Sequence, residues 1–263
     1  MTTQLLRAFG ALVTIAALVG ACTSSPSSEE RRAEGQRLLR QMSERLAAAQ
    51  TISLTTDQEM ERVAQDGTRG LERASVEIKV RRPDRFWFRA SNARGLEGFF
   101  DGSRVTLISH SEKVYGEIPT PPTIDEAVDV LSDRYDVPMP VADLLTRRPD
   151  EVLLTSRTTG GWDGEEDVDG TLCARLVWQH PNVDWSIWIA KSGEPLPCKL
   201  HIVYKSRRGQ PTATVRFVRW DLSAGVADDT FARKIPSDYE GIAIIQRASR
   251  VLEGQKADAP ARK

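Results

Sequence analysis

An acidic run near residue 165, GGWDGEEDVDG, has residue types that bind calcium. It contains Glu165-x-Asp167-x-Asp169-Gly170, which matches the spacing at the start of a calcium-binding loop. Such a loop needs a carboxylate at its twelfth position, and that position, counted from Glu165, is Leu176. We therefore expect a solvated turn before a strand here, and no metal site.

Histidines and serines could supply a base, a metal ligand or a nucleophile. The three histidines, His110, His180 and His201, are scattered over predicted strands and strand ends, without a Glu-x-x-His or Cys-x-x-Cys pattern. No serine lies in a Gly-x-Ser-x-Gly motif. The sequence therefore predicts no enzyme, no metal and no cofactor. Each histidine is expected at the surface, and His201 should face away from its neighbours Leu200 and Ile202.

A cysteine follows an apolar run that is typical of a secretory signal. The run is too short to span a membrane, and it carries one positive charge before it and small residues at its end. Val19-Gly20-Ala21-Cys22 resembles the bacterial lipoprotein signal, in which the cysteine is lipidated and becomes the new N-terminus. The sequence thus predicts a signal peptide over 1–21 and an anchor of more than one acyl chain, such as palmitate, on Cys22.

The expected anchor places the protein in a bacterial envelope, facing the periplasm. Thr23 follows Cys22 where an aspartate would favour the inner membrane, so the outer membrane is favoured. Residues 22–34 are Ser/Pro-rich and then charged, which predicts a tether. One domain is expected over 35–246 and a polar tail over 247–263.

Two cysteines remain besides Cys22, and an oxidising envelope permits a disulfide between them. A strand near 183–190 should lie between the strands that carry Cys173 and Cys198. Two strand spacings of about 4.8 Å place the Cα atoms near 10 Å apart, beyond the roughly 7 Å limit for a bridge. Cys173 also shares a face with Arg175, whereas Cys198 shares one with Leu200. Both arguments disfavour the bond unless a β-bulge or another strand order intervenes.

The composition limits the class of protein. The chain of 263 residues has a net charge of −1, so it lacks the excess of positive charge that is typical of proteins that bind nucleic acid. No later run is long and apolar enough to span a bilayer. This length suffices for a single large β domain with a sizeable core.

Helical patterns occur near the N-terminus and in mid-chain. A helix is predicted from about Glu30 to Gln50, and Thr123 with Glu126 forms a capping box before a second one. VADLL predicts a further helical turn. The first helix has an apolar stripe that should pack on a sheet: Leu38, Leu39, Met42 and Leu46.

Most of the remaining chain alternates between apolar and polar residues, as strands do. Residues 74–80 show strict alternation, and Asp101-Gly102 between apolar runs predicts a hairpin. Tight connections between successive strands predict antiparallel meanders. Further strands are predicted over RFWFRA, KVYGEI, and residues 152–157, 171–179, 183–190, 196–205 and 212–221.

The hairpin over residues 182–206 has the most apolar face in the chain. Such a face must be buried against helices or against an apolar ligand. The residues on the faces of its two strands are Val183, Trp185, Ile187, Ile189, Leu196, Cys198, Leu200, Ile202 and Tyr204.

Several segments, in order, resemble one family. VDGTLCARLVWQHPNVDWSIWIAKSGEPLPCKLHIVYKS, together with VRRPDRFWF, FFDGSRVTL, TPPTID and VADLL, is similar to a bacterial family of predicted periplasmic proteins, domain of unknown function family 2092. The resemblance covers roughly residues 35–245. It departs from the family at Cys198, a position that is usually basic.

The resemblance implies an α+β fold like that of the LolA/LolB lipoprotein carriers. This is a strongly curved antiparallel sheet, an unclosed half-barrel of about 10–11 strands, with helices covering its concave side. An apolar cavity between sheet and helices would receive acyl chains.

Without catalytic motifs an enzyme is disfavoured, and two other functional classes remain. The resemblance implies a non-catalytic binder of lipid acyl chains or of a lipidated protein, attached to the membrane by its anchor. The alternative is a protein-interaction or envelope-stress-sensing module without a lipid ligand. The candidate cavity-lining residues are Trp185, Ile187, Ile189, Leu200 and Ile202, although each one alone is as typical of ordinary sheet core.

Overall fold

One sheet of twelve strands organises the protein. The computed structural model describes residues 25–135 and 139–245, so the expected signal peptide, the lipidated Cys22 and the polar tail over 247–263 lie outside the described residues. The strands are β1 Thr51–Val63, β2 Arg69–Arg81, β3 Arg85–Ser91, β4 Leu96–Phe100, β5 Arg104–Ser109, β6 Val114–Pro119, β7 Thr159–Val168, β8 Thr171–Gln179, β9 Asp184–Ala190, β10 Pro197–Val203, β11 Thr212–Asp221 and β12 Glu240–Gly241.

The strand order is β12-β6-β5-β4-β3-β2-β1-β11-β10-β9-β8-β7. All neighbouring strands pair antiparallel except β12, which runs parallel to β6. The sheet does not close into a barrel, because β7 and β12 are its two edges. The predicted α+β half-barrel is therefore confirmed, with one or two strands more than expected.

The helices are α1 Ser28–Ala47, α2 Ile124–Tyr135, α3 Ala142–Leu145 and α4 Pro149–Leu153, with a 3₁₀ turn at Asp228–Thr230. The side chain of Ser27 accepts a hydrogen bond from the amide of Glu30, whose carboxylate accepts one from the amide of Ser27. This capping box starts α1 at Ser28, so the later part of the expected tether is helical. Among the described residues, no helix has the length and apolar character that a membrane crossing requires.

A single large core fills the concave side of the sheet. Every strand from β1 to β6 and from β8 to β11 contributes inward side chains to it, and α1, α2 and α3 supply the opposite wall. Leu39, Met42 and Leu46 of the predicted α1 stripe are fully buried there. The helices thus cover the concave side, as the resemblance implied.

Helix α1 approaches β7 closely through two glycines. A Cβ atom added to Gly35 would lie 2.7 Å from Cα of Gly161, and one added to Gly161 would lie 2.3 Å from the carbonyl oxygen of Arg31. The guanidinium of Arg32 also donates to the carbonyl of Thr158 at 3.0 Å. Backbone-to-backbone contact therefore joins α1 to this edge of the sheet without space between them.

A second, smaller core lies on the convex side. Trp87, Phe99 and Ile108 pack there against Phe231, which belongs to the segment that follows β11. The buried carboxylate of Glu97 accepts hydrogen bonds from Trp87 Nε1 at 2.7 Å and Arg89 at 2.8 Å, and it contacts His110 Nε2 at 2.8 Å. The same histidine contacts the hydroxyl of Tyr239 at 3.0 Å, so the C-terminal segment is tied to the sheet.

Two local predictions were wrong. Residues 152–157 were expected to form a strand, but Pro149 begins helix α4, with acidic residues in its first turn. The acidic run was expected to be a turn, but most of it belongs to β7, and only Asp169 and Gly170 form the turn to β8. Pairing with β8 overrides the weak strand preference of Gly, Asp and Glu.

Cys173 and Cys198 are free thiols in the structure, but they are not kept apart by the expected distance of two strands. Strand β9 does lie between their strands, as expected. However, the β9–β10 register shifts between Pro197 and Lys199, so Cys198 sits in a bulge. The bulge turns Cys198 to the convex side, where its sulfur lies 2.7 Å from that of Cys173 and both pack near Trp188.

We expect Gly35→Ala to destabilise the protein by about 1–3 kcal/mol, because the new methyl group would push α1 away from β7. Intrinsic helix propensity alone would favour alanine by about 1 kcal/mol, so the sign of the change tests the contact. Urea unfolding gives the free energy. The control Ala33→Gly, at an exposed position of α1, should cost about 1 kcal/mol. A stabilising Gly35→Ala would contradict the close approach.

Candidate functional site

An apolar cavity of about 280 Å³ lies between the sheet and the helices α2 and α3. Its floor is the concave face of β1, β2 and β3. Strand side chains alternate between the two faces, so every second residue of β2 lines the cavity. The apolar ones are Ala74, Val76, Ile78 and Val80, the alternation that the sequence shows over 74–80.

Strand β3 adds aromatic rings to the floor. Phe86 and Phe88 line the cavity, and Phe86 packs against Phe100 with ring centroids 5.4 Å apart. The Phe88 ring lies over Gly98 of β4, where an added Cβ would come within 2.1 Å of it. Gly98 therefore makes room for the Phe88 ring on the concave face.

The roof of the cavity is the helical segment in mid-chain. Ile124 and Val128 of α2 face the floor, together with Val141, Ala142 and Leu145 in and beside α3. Thr123 caps α2 as predicted, since its hydroxyl oxygen accepts from the Glu126 amide at 3.3 Å; the Glu126 carboxylate accepts from that hydroxyl at 2.7 Å rather than from the Thr123 amide of a full capping box. The VADLL turn is confirmed as α3.

Arg82, next to the end of β2, holds the roof to the rest of the protein. Its guanidinium donates to the carbonyls of Ala49 at 3.1 Å and Leu145 at 2.7 Å, with a longer contact to Leu46 at 3.5 Å. These carbonyls lie at the C-terminal ends of α1 and α3, where a cation is favoured. Burial lowers the pKa of Arg82, with Asp125 acting in the opposite sense. One side chain thus fixes both helices relative to the floor.

Polarity rises along the cavity from one end to the other. Val80, Ile78 and Val76 are buried, whereas Ala74 and Glu72, further along β2, are half-buried. The distance from Val80 to Glu72 is about 26 Å at 3.3 Å per residue. The polar end, called the mouth below, is lined by Gln58, Arg62, Glu72, Asn92 and Arg94.

The five candidate lining residues lie elsewhere on the concave face. Trp185, Ile187, Ile189 and Leu200 are buried members of the main core, and Ile202 packs against it. None of the five is among the residues that line the cavity, which is formed by the other half of the sheet. A ligand contact by these residues stays a prediction. The alternation over 74–80 and the RFWF segment were the signals that mark the cavity floor.

The histidines do not converge on a site. His110 is half-buried and bonded to Glu97 and Tyr239, and His201 contacts the hydroxyl of Thr214 at 3.0 Å. Burial lowers the pKa values of His180 and His201. Within residues 25–135 and 139–245, no group of three or more His, Cys, Asp or Glu side chains is arranged to hold a metal ion.

Comparison with known proteins gives a family match and remote structural likenesses. The family model described as "Predicted periplasmic protein (DUF2092)" matches residues 35–245. No curated protein matches the sequence.

Solved structures of similar shape share little sequence with this chain. The lipoprotein LppX of Mycobacterium tuberculosis has a TM-score of 0.43 at 11% identity, over 73% of this chain and 97% of that one. The LolA superfamily protein NE2245 of Nitrosomonas europaea gives 0.40 at 12%, over 76% and 98%. The MucA/MucB complex of Pseudomonas aeruginosa gives 0.42 at 13%, over 76% of this chain and 61% of that one.

A carboxylate in the roof should make the stability of the protein depend on pH. Burial raises the pKa of Asp143 in α3 to about 6, and the nearby charge of Asp129 acts in the same direction. A carboxyl whose pKa is raised by folding is held protonated in the folded state. Stability is therefore highest below the ordinary pKa near 4, falls as the pH rises through 6, and stays lower above it.

We accordingly expect Asp143→Asn to raise the free energy of unfolding by about 1–2 kcal/mol at pH 7.5, a value reduced for partial exposure, and to change little at pH 4. Urea unfolding at both values of pH measures the difference. Asp57→Asn, at an exposed position of β1, is the control and should show no such gain. An equal effect of Asp143→Asn at the two pH values would contradict the raised pKa.

Proposed function

The chain belongs to the DUF2092 family of predicted periplasmic proteins, and from that premise and the cavity we propose that it is a non-catalytic envelope lipoprotein that holds an apolar ligand. The ligand is a lipid acyl chain or the acyl chain of a lipidated protein. The protein shields that chain from water, and no bond is made or broken. The protein acts by binding and release, with α2 and α3 as the roof over the bound chain.

The observation that carries the proposal is the apolar space between β1–β3 and α2–α3. Valine, isoleucine, leucine, phenylalanine and methionine side chains surround it, and the described residues that line its inner part are all apolar. Covering this apolar surface with a ligand contributes about 25 cal/mol of favourable binding free energy for each Å² buried. A hydrocarbon chain provides that cover without leaving polar groups unpaired.

The site of action follows from the expected anchor. Cys22 precedes α1 by a short Ser/Pro-rich stretch, so a lipidated Cys22 would keep the cavity close to the membrane surface. We propose attachment to the outer membrane, facing the periplasm, where acyl chains could enter from the bilayer. The membrane and a lipid or lipidated protein are then the partners, and nucleic acid is not.

The alternative function is a protein-interaction or envelope-stress-sensing module. In that case one protein partner would bind the sheet or the roof while the cavity stays empty. Uptake of a fatty acid separates the two functions, because only the first requires the cavity to be accessible to a chain.

We expect the mature protein to bind a fluorescent fatty acid saturably and in a 1:1 ratio, and Ala74→Phe to weaken this binding at least tenfold. The added ring would occupy the cavity between its inner part and its mouth. Fluorescence titration measures the affinity. Ser75→Phe is the matched control, because it places the same ring on the exposed convex face of β2 and should leave binding unchanged. Absence of uptake by the wild type, together with one dominant partner in crosslinked cells, would favour the alternative.

A further inference from the structure

The mouth of the cavity contains two arginines and one glutamate. Arg62, near the end of β1, bonds the carboxylate of Glu72 through two nitrogens, at 2.9 and 3.0 Å. The side-chain amide of Asn92 donates to the other oxygen of the same carboxylate at 2.9 Å. Glu72 is therefore compensated by Arg62, and these three side chains form one closed network on the floor of the mouth.

Arg94 is the remaining charge at the mouth. It lies in the turn from β3 to β4, where the side-chain oxygen of Asn92 accepts bonds from the amides of Arg94 and Gly95 at 3.1 and 3.0 Å. This turn fixes the backbone of Arg94 beside the cavity. Its guanidinium has neither an ion pair nor a hydrogen bond within the described part of the chain. Among the described residues that line the mouth, Arg94 is therefore a positive charge without an acidic partner.

We infer that the ligand is a single-chain amphiphile with an anionic head, held by Arg94 at the mouth while the chain lies in the apolar part. This inference rests on the proposed function and specifies its ligand. A planar guanidinium binds carboxylate and phosphate oxygens in pairs, so the shared chemistry is a carboxylate or phosphate head. One chain is specified because a cavity of about 280 Å³ is slightly smaller than the usual range of ligand sites, about 300–1,000 Å³.

The change in polarity along the cavity supports the same orientation of the ligand, with its head at the mouth. Exposure and polarity both increase from Val80 toward Glu72, so a chain entering tail first would point its methyl end toward Val80. Its head would then stop where Arg94 lies. The opposite orientation would bury an anion among valine and phenylalanine side chains, at a large cost in solvation.

The test compares three ligands with the same chain, namely myristate, myristyl phosphate and myristyl alcohol, as competitors of a neutral fluorescent probe. We expect the two anions to bind about three- to tenfold more tightly than the alcohol, a range reduced by the solvent exposure of Arg94. Arg94→Gln should remove this preference and leave the affinity for the alcohol unchanged. Arg94→Lys should retain part of it. Arg40→Gln, at an exposed position of α1 away from the cavity, should retain all of it.

The outcomes separate this inference from the proposed function. Equal binding of the alcohol and both anions, unchanged in Arg94→Gln, would overturn the role of Arg94 while the proposed function stands. Failure of all three ligands to displace the probe would overturn the proposed function itself. A preference for only one of the anions identifies the head as a carboxylate or as a phosphate and supports the inference.

A different observation carries a second inference, which concerns Cys173 and Cys198. Their sulfurs are 2.7 Å apart, so a disulfide needs a shift of less than about 1 Å. Cys173 is fully buried and Cys198 is half-buried beside Trp188, so the pair is packed and fixed in place.

We propose that this pair is an oxidation site and forms a disulfide in the periplasm. The two thiols transfer two electrons and two protons to the disulfide of a thiol–disulfide oxidoreductase, which becomes a dithiol while the S–S bond of this protein forms. The bond would link β8 to β10 across β9, over a separation of 25 residues.

Intact mass and thiol alkylation of the unfolded protein, purified from envelopes without reductant, test the second inference. We expect both thiols to resist alkylation until reductant is added. Reductant should lower the melting temperature of the wild type by roughly 10 °C and leave that of the double variant C173A/C198A unchanged. Alkylation of both cysteines before reduction would show that the pair remains as thiols and would overturn the proposal.

Discussion

The structure depends on burying the apolar concave face of an open sheet. A sheet of this width presents inward side chains from ten of its strands, and the helices α1, α2 and α3 must cover them. Exposed apolar surface is unfavourable, so each part of the face needs a partner. Helices cover the two halves of the sheet in different ways, and that difference accounts for the position of the cavity.

Over the half near β7, cover is close. Gly35 and Gly161 let α1 contact the backbone of the sheet, and the wall of β8, β9 and β10 joins the main core. Over β1, β2 and β3, the first and last residues of the roof, Ile124 and Leu145, are held beside the end of β2 by Pro83 and Arg82. Away from these ties the side chains leave a space that opens toward a polar mouth. The sheet is thus closely packed on the β7 side, and it leaves a cavity over β1, β2 and β3.

Much of the fold could be predicted from the sequence, because alternation, capping boxes and turn residues are local signals. The helix stripe, the 74–80 strand and the Thr123 cap are examples. The position of the cavity was not predictable in this way, since Trp185 and Ile187 have the same alternation as Val76 and Ile78. Whether such residues are packed in the core or line a cavity depends on the distance between helix and sheet. The bulge at Cys198 likewise depends on the register of β10 against β9, a tertiary property.

The proposed function requires that the space between β1–β3 and α2–α3 receives a hydrocarbon chain. A crystal structure of the mature protein grown with saturating myristate tests it most directly. Continuous electron density for one chain is expected along β2, with its head at the mouth and its tail directed toward Val80. An empty density map, with α2 and α3 closed onto the sheet and their side chains filling the space, would contradict it.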